Sequence, residues 1–379
     1  LAGIALFGLA SALCAIAPSA GLVITFRAVQ GVGAALIFPV SVSVLTNAFP
    51  AARAGHAIGL AYGVAGLGNA AGPLVGGLLT QTLGWRSIFW LLVPFSSAAF
   101  VIGALTVPES LDDTVPRRID FAGLSLIIFG IGLFTLTFDR APSWGWLAPG
   151  TLVAFVGSLA VLGLFLLVEG RVPWPLVDLS LFRNARFTIL VVAGTVANIA
   201  YAVTIYLSTL NLQQVRGLDP LMAGLAFLGP SIGAALGGPL SGRLATRYPP
   251  VLVMGLGCAA AALSLAALAI SSGWVVYVIA LSACGFTMGL VYAFTTVATQ
   301  AVVRPERAGE AAGVALTSLV TLAGVGVAVS GTMLEVLRQG GMPTGSGIPA
   351  IFLAIAAVLL PAAIAVLTFR KHEGTLDHR

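Results

Sequence analysis

Apolar residues in this chain come in long unbroken runs, separated by short polar turns rich in glycine, proline and arginine. A helix needs about 20 such residues in a row to cross the hydrocarbon layer of a bilayer. Twelve runs meet that requirement and predict twelve helices. They are Leu1–Ala17, Leu22–Thr46, Ala57–Thr80, Ser87–Val107, Phe121–Phe138, Pro149–Val168, Phe187–Leu207, Leu221–Leu240, Val251–Ile270, Trp274–Val303, Ala311–Leu334 and Ile348–Phe369. The first run begins without a methionine and in full apolar register, so it is not a secretory signal. The chain reads as cut at its N-terminus.

Composition closes off the soluble alternatives. Only 8% of the residues are charged, against about 25% in a soluble domain, too few to cover a water-facing surface. Disordered, collagen-like and disulfide-scaffold classes fail on the same figures. The expected fold class is therefore all-α, a polytopic membrane protein in contact with the lipid bilayer. The formal charge of +5 invites a nucleic-acid partner, but no basic cluster with interleaved aromatics exists. Cys14, Cys258 and Cys284 lie in apolar runs and read as small core residues. His56, His372 and His378 have no partners at metal-ligand or triad spacing. No phosphate-binding loop is present. The sequence thus predicts no metal, no cofactor, no nucleotide and no enzymatic centre.

The charges report topology instead. Loops on one side hold Arg53, Arg117, Arg118, Arg171, Arg183, Arg186, Arg243, Arg247, Arg304, Arg307, Arg370, Lys371 and Arg379, and the other side holds Arg86, Arg140, Arg216 and Arg338. The positive-inside rule places the first side, and with it the C-terminus, in the cytoplasm. The chain also repeats itself. Arg53-Ala54-Gly55-His56-Ala57-Ile58-Gly59-Leu60-Ala61 matches Arg307-Ala308-Gly309-Glu310-Ala311-Ala312-Gly313-Val314-Ala315 at six of nine positions, an offset of 254. The same offset brings Gly31 onto Gly285, Gly72 onto Gly326 and Gly77 onto Gly331. Secondary transporters are built from two such related halves.

In the third run Gly68, Gly72 and Gly76 recur every four residues and share one helix face. Small residues at that spacing let another backbone come close, and Pro73 removes a donor and bends the helix. Alone, this is a packing seam. The longer string, Gly59 followed by Gly68-Asn69-Ala70-Ala71-Gly72-Pro73-Leu74-Val75-Gly76-Gly77, resembles the antiporter motif of drug exporters in the major facilitator superfamily. Arg27-Ala28-Val29-Gln30-Gly31-Val32-Gly33-Ala34-Ala35 is similar to the Arg-x-x-Gln-Gly-x-Gly-Ala-Ala motif of the preceding helix in that group. Pro108-Glu109, Arg117-Arg118-Ile119-Asp120 and Trp144-Gly145-Trp146 resemble pieces around the inserted helix pair of fourteen-helix drug:proton antiporters. Gly238, Arg243 and Arg247 belong to a degenerate cytoplasmic-loop motif, with Gly242 where an acidic residue often stands.

The resemblance implies that the chain begins at helix 3 of fourteen. Residues 1–107 would be the remainder of an N-terminal six-helix bundle, 108–185 the inserted pair and 186–379 the C-terminal bundle with a short tail. About 70 residues holding two more spans would precede Leu1, along with any acidic proton carrier there. The implied activity is export of lipophilic, cationic compounds in exchange for protons, by alternating access, in a bacterial plasma membrane. Its partners are a small-molecule substrate and protons. An exporter of one defined metabolite is the near alternative. A channel would show charge rings or carbonyl filters and a membrane enzyme a His/Asp/Glu cluster within the spans; neither pattern occurs.

Arg27 lies roughly 9 Å from the middle of its helix, inside the hydrocarbon layer, and Gln30 and Gly31 share its face. One reading is a snorkelling arginine. The resemblance implies the other, a role for Arg27 and Gln30 in proton coupling or substrate binding. Asn69, Asn198, Tyr201, Tyr206 and Tyr292 fall within spans and are candidates to line a cavity, with interhelical bonding or interfacial anchoring equally open. Phe286, Met288 and Phe294 offer soft contacts to a lipophilic cation or plain packing. Glu335 with Arg338, and Asp139 with Arg140, read as solvated pairs at outer helix ends.

Overall fold

The computed structural model describes residues 1–48, 64, 68, 71–107, 120–173, 175–304 and 307–376. Among these there is no strand. The helices are α1 (Ala2–Ile16), α2 (Ala20–Ala48), α3 (71–83), α4 (Arg86–Thr106), α5 (Phe121–Trp144), α6 (Pro149–Glu169), α7 (Ala185–Leu210), α8 (Pro220–Ala226), α9 (Leu228–Arg247), α10 (Pro250–Ile270), α11 (Trp274–Ala301), α12 (Ala308–Gln339) and α13 (Thr344–Leu376). Ten candidate spans among the described residues are long and apolar enough to cross a membrane, and Ala2–Ile16 is a shorter apolar helix. Large apolar side chains such as Ile24, Leu105, Phe129, Val153, Leu263 and Ile279 remain exposed around the helices, as a lipid-facing belt requires. This is an all-α, polytopic membrane protein.

Local chemistry sets the helix ends. Asp120 caps α5 by accepting from the Gly123 amide at 2.9 Å, and Asn184 caps α7 through the amides of Arg186 and Phe187. Pro149, Pro220 and Pro250 stand at first helical positions, where no donor is lost. Gly145 stops α5 with φ 99°, a conformation that a Cβ would strain. One predicted run, Leu221–Leu240, is broken into α8 and α9 at Phe227. Pro230 explains the break: it cannot donate to Ala226, and its ring crowds that carbonyl. Beyond α7 the chain widens into one π turn, Asn211–Val215, closed by the Arg216 amide on the Asn211 carbonyl.

The chain divides into two compact units. The first comprises Leu1–Pro116 with Leu218–Leu228, and α1 packs there against α2 and α4. The second comprises Arg117–Gly217 with Gly229–Arg379. It is organised around α7, which meets α10, α11, α12 and α13 and buries Phe187, Leu190 and Leu207. The α5–α6 hairpin joins this unit through α12, where the Thr332 hydroxyl donates to the Phe138 carbonyl at 2.6 Å. Gly59, Asn69, the Arg53–Ala61 copy of the repeat, and the Pro108-Glu109 and Arg117-Arg118 pieces lie outside the described residues.

Candidate functional site

Arg27 and Gln30 sit one turn apart on α2, and the structure links them into a hydrogen-bonded chain reaching α1. Arg27 Nη1 donates to Gln30 Oε1 at 2.6 Å, and Gln30 Nε2 donates to Ser11 Oγ at 2.6 Å. Ser11 Oγ in turn donates to the Phe7 carbonyl at 2.7 Å. Gln30 and Ser11 are buried, whereas Arg27 is exposed. Its guanidinium stands 6.0 Å from the Phe89 ring centroid on α4, at the outer limit of a cation–π contact. No carboxylate pairs with Arg27 among the described residues. A guanidinium held by a neutral amide keeps donors for an anionic or polar partner.

The motif's glycines divide the work. A Cβ on Gly33 would fall 2.7 Å from the Phe7 amide nitrogen, so Gly33 is what lets α1 and α2 approach. Gly31, on the Arg27 face, would meet nothing within 4 Å and leaves that side clear. Ser11 escaped the sequence reading because one small hydroxyl in an apolar run carries no signal. Only the α1–α2 register reveals it.

The internal repeat aligns this helix pair with a second one. An offset of 254 carries the end of α1 at Ile16 onto the end of α10 at Ile270, and the start of α2 at Ala20 onto the start of α11 at Trp274. Ser11, Arg27 and Gln30 then fall on Leu265, Leu281 and Cys284, all buried apolar residues. A corresponding helix pair is thus built with no polar side chain at these three positions. The α10–α11 pair is bridged one position away on α10, by the Ser264 and Thr287 hydroxyls at 3.2 Å, so its polar link is neutral where that of α1 and α2 ends on a guanidinium.

In the antiporter string, the close approach falls at Gly77. Its Cβ would lie 2.4 Å from the Pro220 carbonyl oxygen, and a Cβ on Gly224 of α8 would lie 2.4 Å from the Pro73 carbonyl oxygen. Gln81 Oε1 accepts from the Leu221 amide one turn further on. Pro73 and Gly77 are thus the residues on which α3 and α8 touch. Gly68 and Gly72 have nothing within 4 Å of a Cβ, and Gly76 only the tip of Ile88 at 4.0 Å.

In the second unit, Asn198 Nδ2 donates to the Leu319 carbonyl at 2.8 Å and ties α7 to α12. Tyr206 stands against Gly331 of α12, and Tyr201 and Tyr292 are half-buried. Gly238 meets nothing within 4 Å, and Arg243 and Arg247 are exposed at the end of α9. Gly233 and Gly237 of α9 meet the α11 backbone at Phe286 and Leu290, and Gly285 and Gly289 of α11 meet Pro230 and Ala234. The repeat arginine, Arg307, binds Asp178, Ser180 and Glu310. Burial pushes the Asp178 carboxyl up, but Ser180 and Arg307 outweigh it and hold it below the usual carboxylate range.

Comparison with known proteins agrees with this architecture. The family model of the Major Facilitator Superfamily matches residues 1–328 and 190–378. Multidrug resistance protein Stp of Mycobacterium tuberculosis is 32% identical over 339 residues, covering 88% of this chain and 63% of that protein. Tetracenomycin C resistance and export protein of Streptomyces glaucescens is 30% identical over 341 residues, covering 88% and 63%. Methylenomycin A resistance protein of Bacillus subtilis is 30% identical, covering 98% of this chain and 80% of its own length. The chain therefore spans less than two thirds of the length of the first two relatives. Among solved structures, a bacterial homologue of the human lysosomal transporter Spinster aligns with a TM-score of 0.65 at 16% identity, over 98% of this chain and 81% of that one. The fold is shared at that distance, and the family model covers most of the sequence. The chain belongs to the major facilitator superfamily.

Proposed function

We propose that this protein exports lipophilic, cationic small molecules in exchange for protons, by alternating access, across a bacterial plasma membrane. Its arginine-rich loops and C-terminus face the cytoplasm in this reading. The Arg27–Gln30–Ser11 chain carries it: an exposed guanidinium within an apolar span, tied to buried Gln30 and Ser11, set where the repeat places Leu281, Cys284 and Leu265. The names of its relatives, a multidrug resistance protein and an antibiotic resistance and export protein, support drug-like compounds as the substrates. Arg27 and Gln30 serve proton coupling or substrate binding, and the α3 string around Pro73 and Gly77 acts as a packing hinge. Asn198, Tyr201, Tyr206 and Tyr292 remain the proposed lining of a substrate path, and Gly238, Arg243 and Arg247 a cytoplasmic-loop motif.

The test is a drug-susceptibility panel and substrate-driven proton flux in everted vesicles, with the natural full-length protein in an efflux-deficient host. Arg27→Ala should abolish both at wild-type membrane abundance, and Arg27→Lys should recover little, since an ammonium lacks the planar fork. Undiminished export by Arg27→Ala would return the residue to snorkelling. A second reading, a dedicated exporter of one antibiotic-like metabolite, is favoured by the relatives named for tetracenomycin C and methylenomycin A. Resistance to a single compound in the panel would select it.

A further inference from the structure

The open end of the α5–α6 hairpin holds two carboxyls that approach the same glycine. Asp120 caps α5, its Oδ1 accepting from the Gly123 amide at 2.9 Å, while its Oδ2 is buried without a partner. Glu169 closes α6 and is 3% exposed; its Oε2 accepts from the Val177 amide at 3.2 Å, and its Oε1 is also buried without a partner. The point where a Cβ on Gly123 would stand is 2.5 Å from Asp120 Oδ2 and 2.7 Å from Glu169 Oε1. The two free oxygens thus converge on one spot, kept open by the glycine.

Two ionised carboxylates aimed at one dry spot repel each other, and one proton relieves the repulsion by turning one oxygen into a donor. Leaving either oxygen charged and unpaired in a buried site is strongly unfavourable. We propose that Asp120 and Glu169 form a proton-binding site in which a single proton on Glu169 Oε1 is donated to Asp120 Oδ2. Helix polarity assigns it. Asp120 sits at a helix N-terminus, which favours the anion, and Glu169 at a helix C-terminus, which disfavours it. The pair carries one negative charge in total. A metal ion fits poorly, since among the described residues no third carboxylate, histidine or cysteine joins the group.

None of the described ion pairs includes Asp120 or Glu169. Asp139 and Arg140 on α5 bind each other, as do Glu335 and Arg338 on α12. Glu310 and Asp178 are engaged with Arg307, and Arg171 is exposed. The site does not depend on the export reading, because its signature is spectroscopic.

Infrared difference spectra between water and heavy water, on the purified full-length protein at neutral pH, should show the stretching band of a buried protonated carboxyl. Glu169→Gln should remove the band while the protein melts near its wild-type temperature, because the new amide can donate to Asp120 in the proton's place. Gly123→Ala, whose methyl would overlap both oxygens, should lose or shift the band. A wild-type spectrum without the band, or a band that survives Glu169→Gln, would overturn the proposal. So would a rise in melting temperature with sodium or magnesium that Glu169→Gln abolishes, which would assign the site to a cation.

Discussion

Gln30 occupies the middle of its chain, and its amide is the one group that both accepts from Arg27 and donates to Ser11. Gln30→Leu removes both bonds but leaves Ser11 bonded to the Phe7 carbonyl, so no hydroxyl is orphaned. The stability lost should be about 1 kcal/mol or less. Export should nevertheless fall towards that of Arg27→Ala, with a monodisperse elution profile and normal membrane abundance. A variant that transports normally would show that Arg27 does not need its orienting partner. Asp178 supports a different expectation, since its folded carboxyl is held below the ordinary range. Its contribution is complete above the ordinary value of about 4 and is lost only as pH falls through the lower folded value. Asp178→Asn should therefore reduce thermal stability by about 1 kcal/mol or less. The deficit should stay constant across neutral and mildly acidic pH, and a deficit that grew with acidification would contradict it.

At the scale of helices, glycine spacing alone does not say which face is pressed. Gly72 and Gly76 align on α3, yet the contact with α8 is made through Pro73 and Gly77, one position round the helix. Gly77→Ala must displace the Pro220 carbonyl and should cost about 1–3 kcal/mol. Gly72→Ala enters open space and gains about 1 kcal/mol of helix propensity. Melting curves of the two variants should therefore move in opposite directions, and equal shifts would remove the α3–α8 contact from the packing. The run lengths made most helices legible in the sequence, because that signal is local. The break at Phe227 was also local, carried by Pro230, but it lay hidden inside an apolar run. What was not legible is contact across elements. Ser11 under Gln30, Glu169 against Asp120 and Thr332 on the Phe138 carbonyl are separated by 19, 49 and 194 positions, and nothing in composition or periodicity pairs them.

For the whole molecule, thirteen basic residues on one side against four on the other predict its orientation before any packing is known. The structure supplies a clean way to measure it, because Cys14, Cys258 and Cys284 are all buried and burial keeps thiols unreactive. Cysteines introduced at exposed turns should then be the reactive ones. Leu147 lies in the α5–α6 turn and is 85% exposed; Tyr248, just past α9, is 51% exposed. In intact cells a membrane-impermeant maleimide should label Leu147→Cys and leave Tyr248→Cys untouched until the membrane is opened. Both sites avoid the arginines, so neither substitution disturbs the charge bias under test. The two turns are separated by α6, α7 and the α8–α9 span, an odd number of crossings, and must face opposite sides if all three cross. Labelling of both from outside would break that count, and labelling of Tyr248→Cys alone would invert the molecule. Either result would place the arginine-rich loops where the positive-inside rule forbids them.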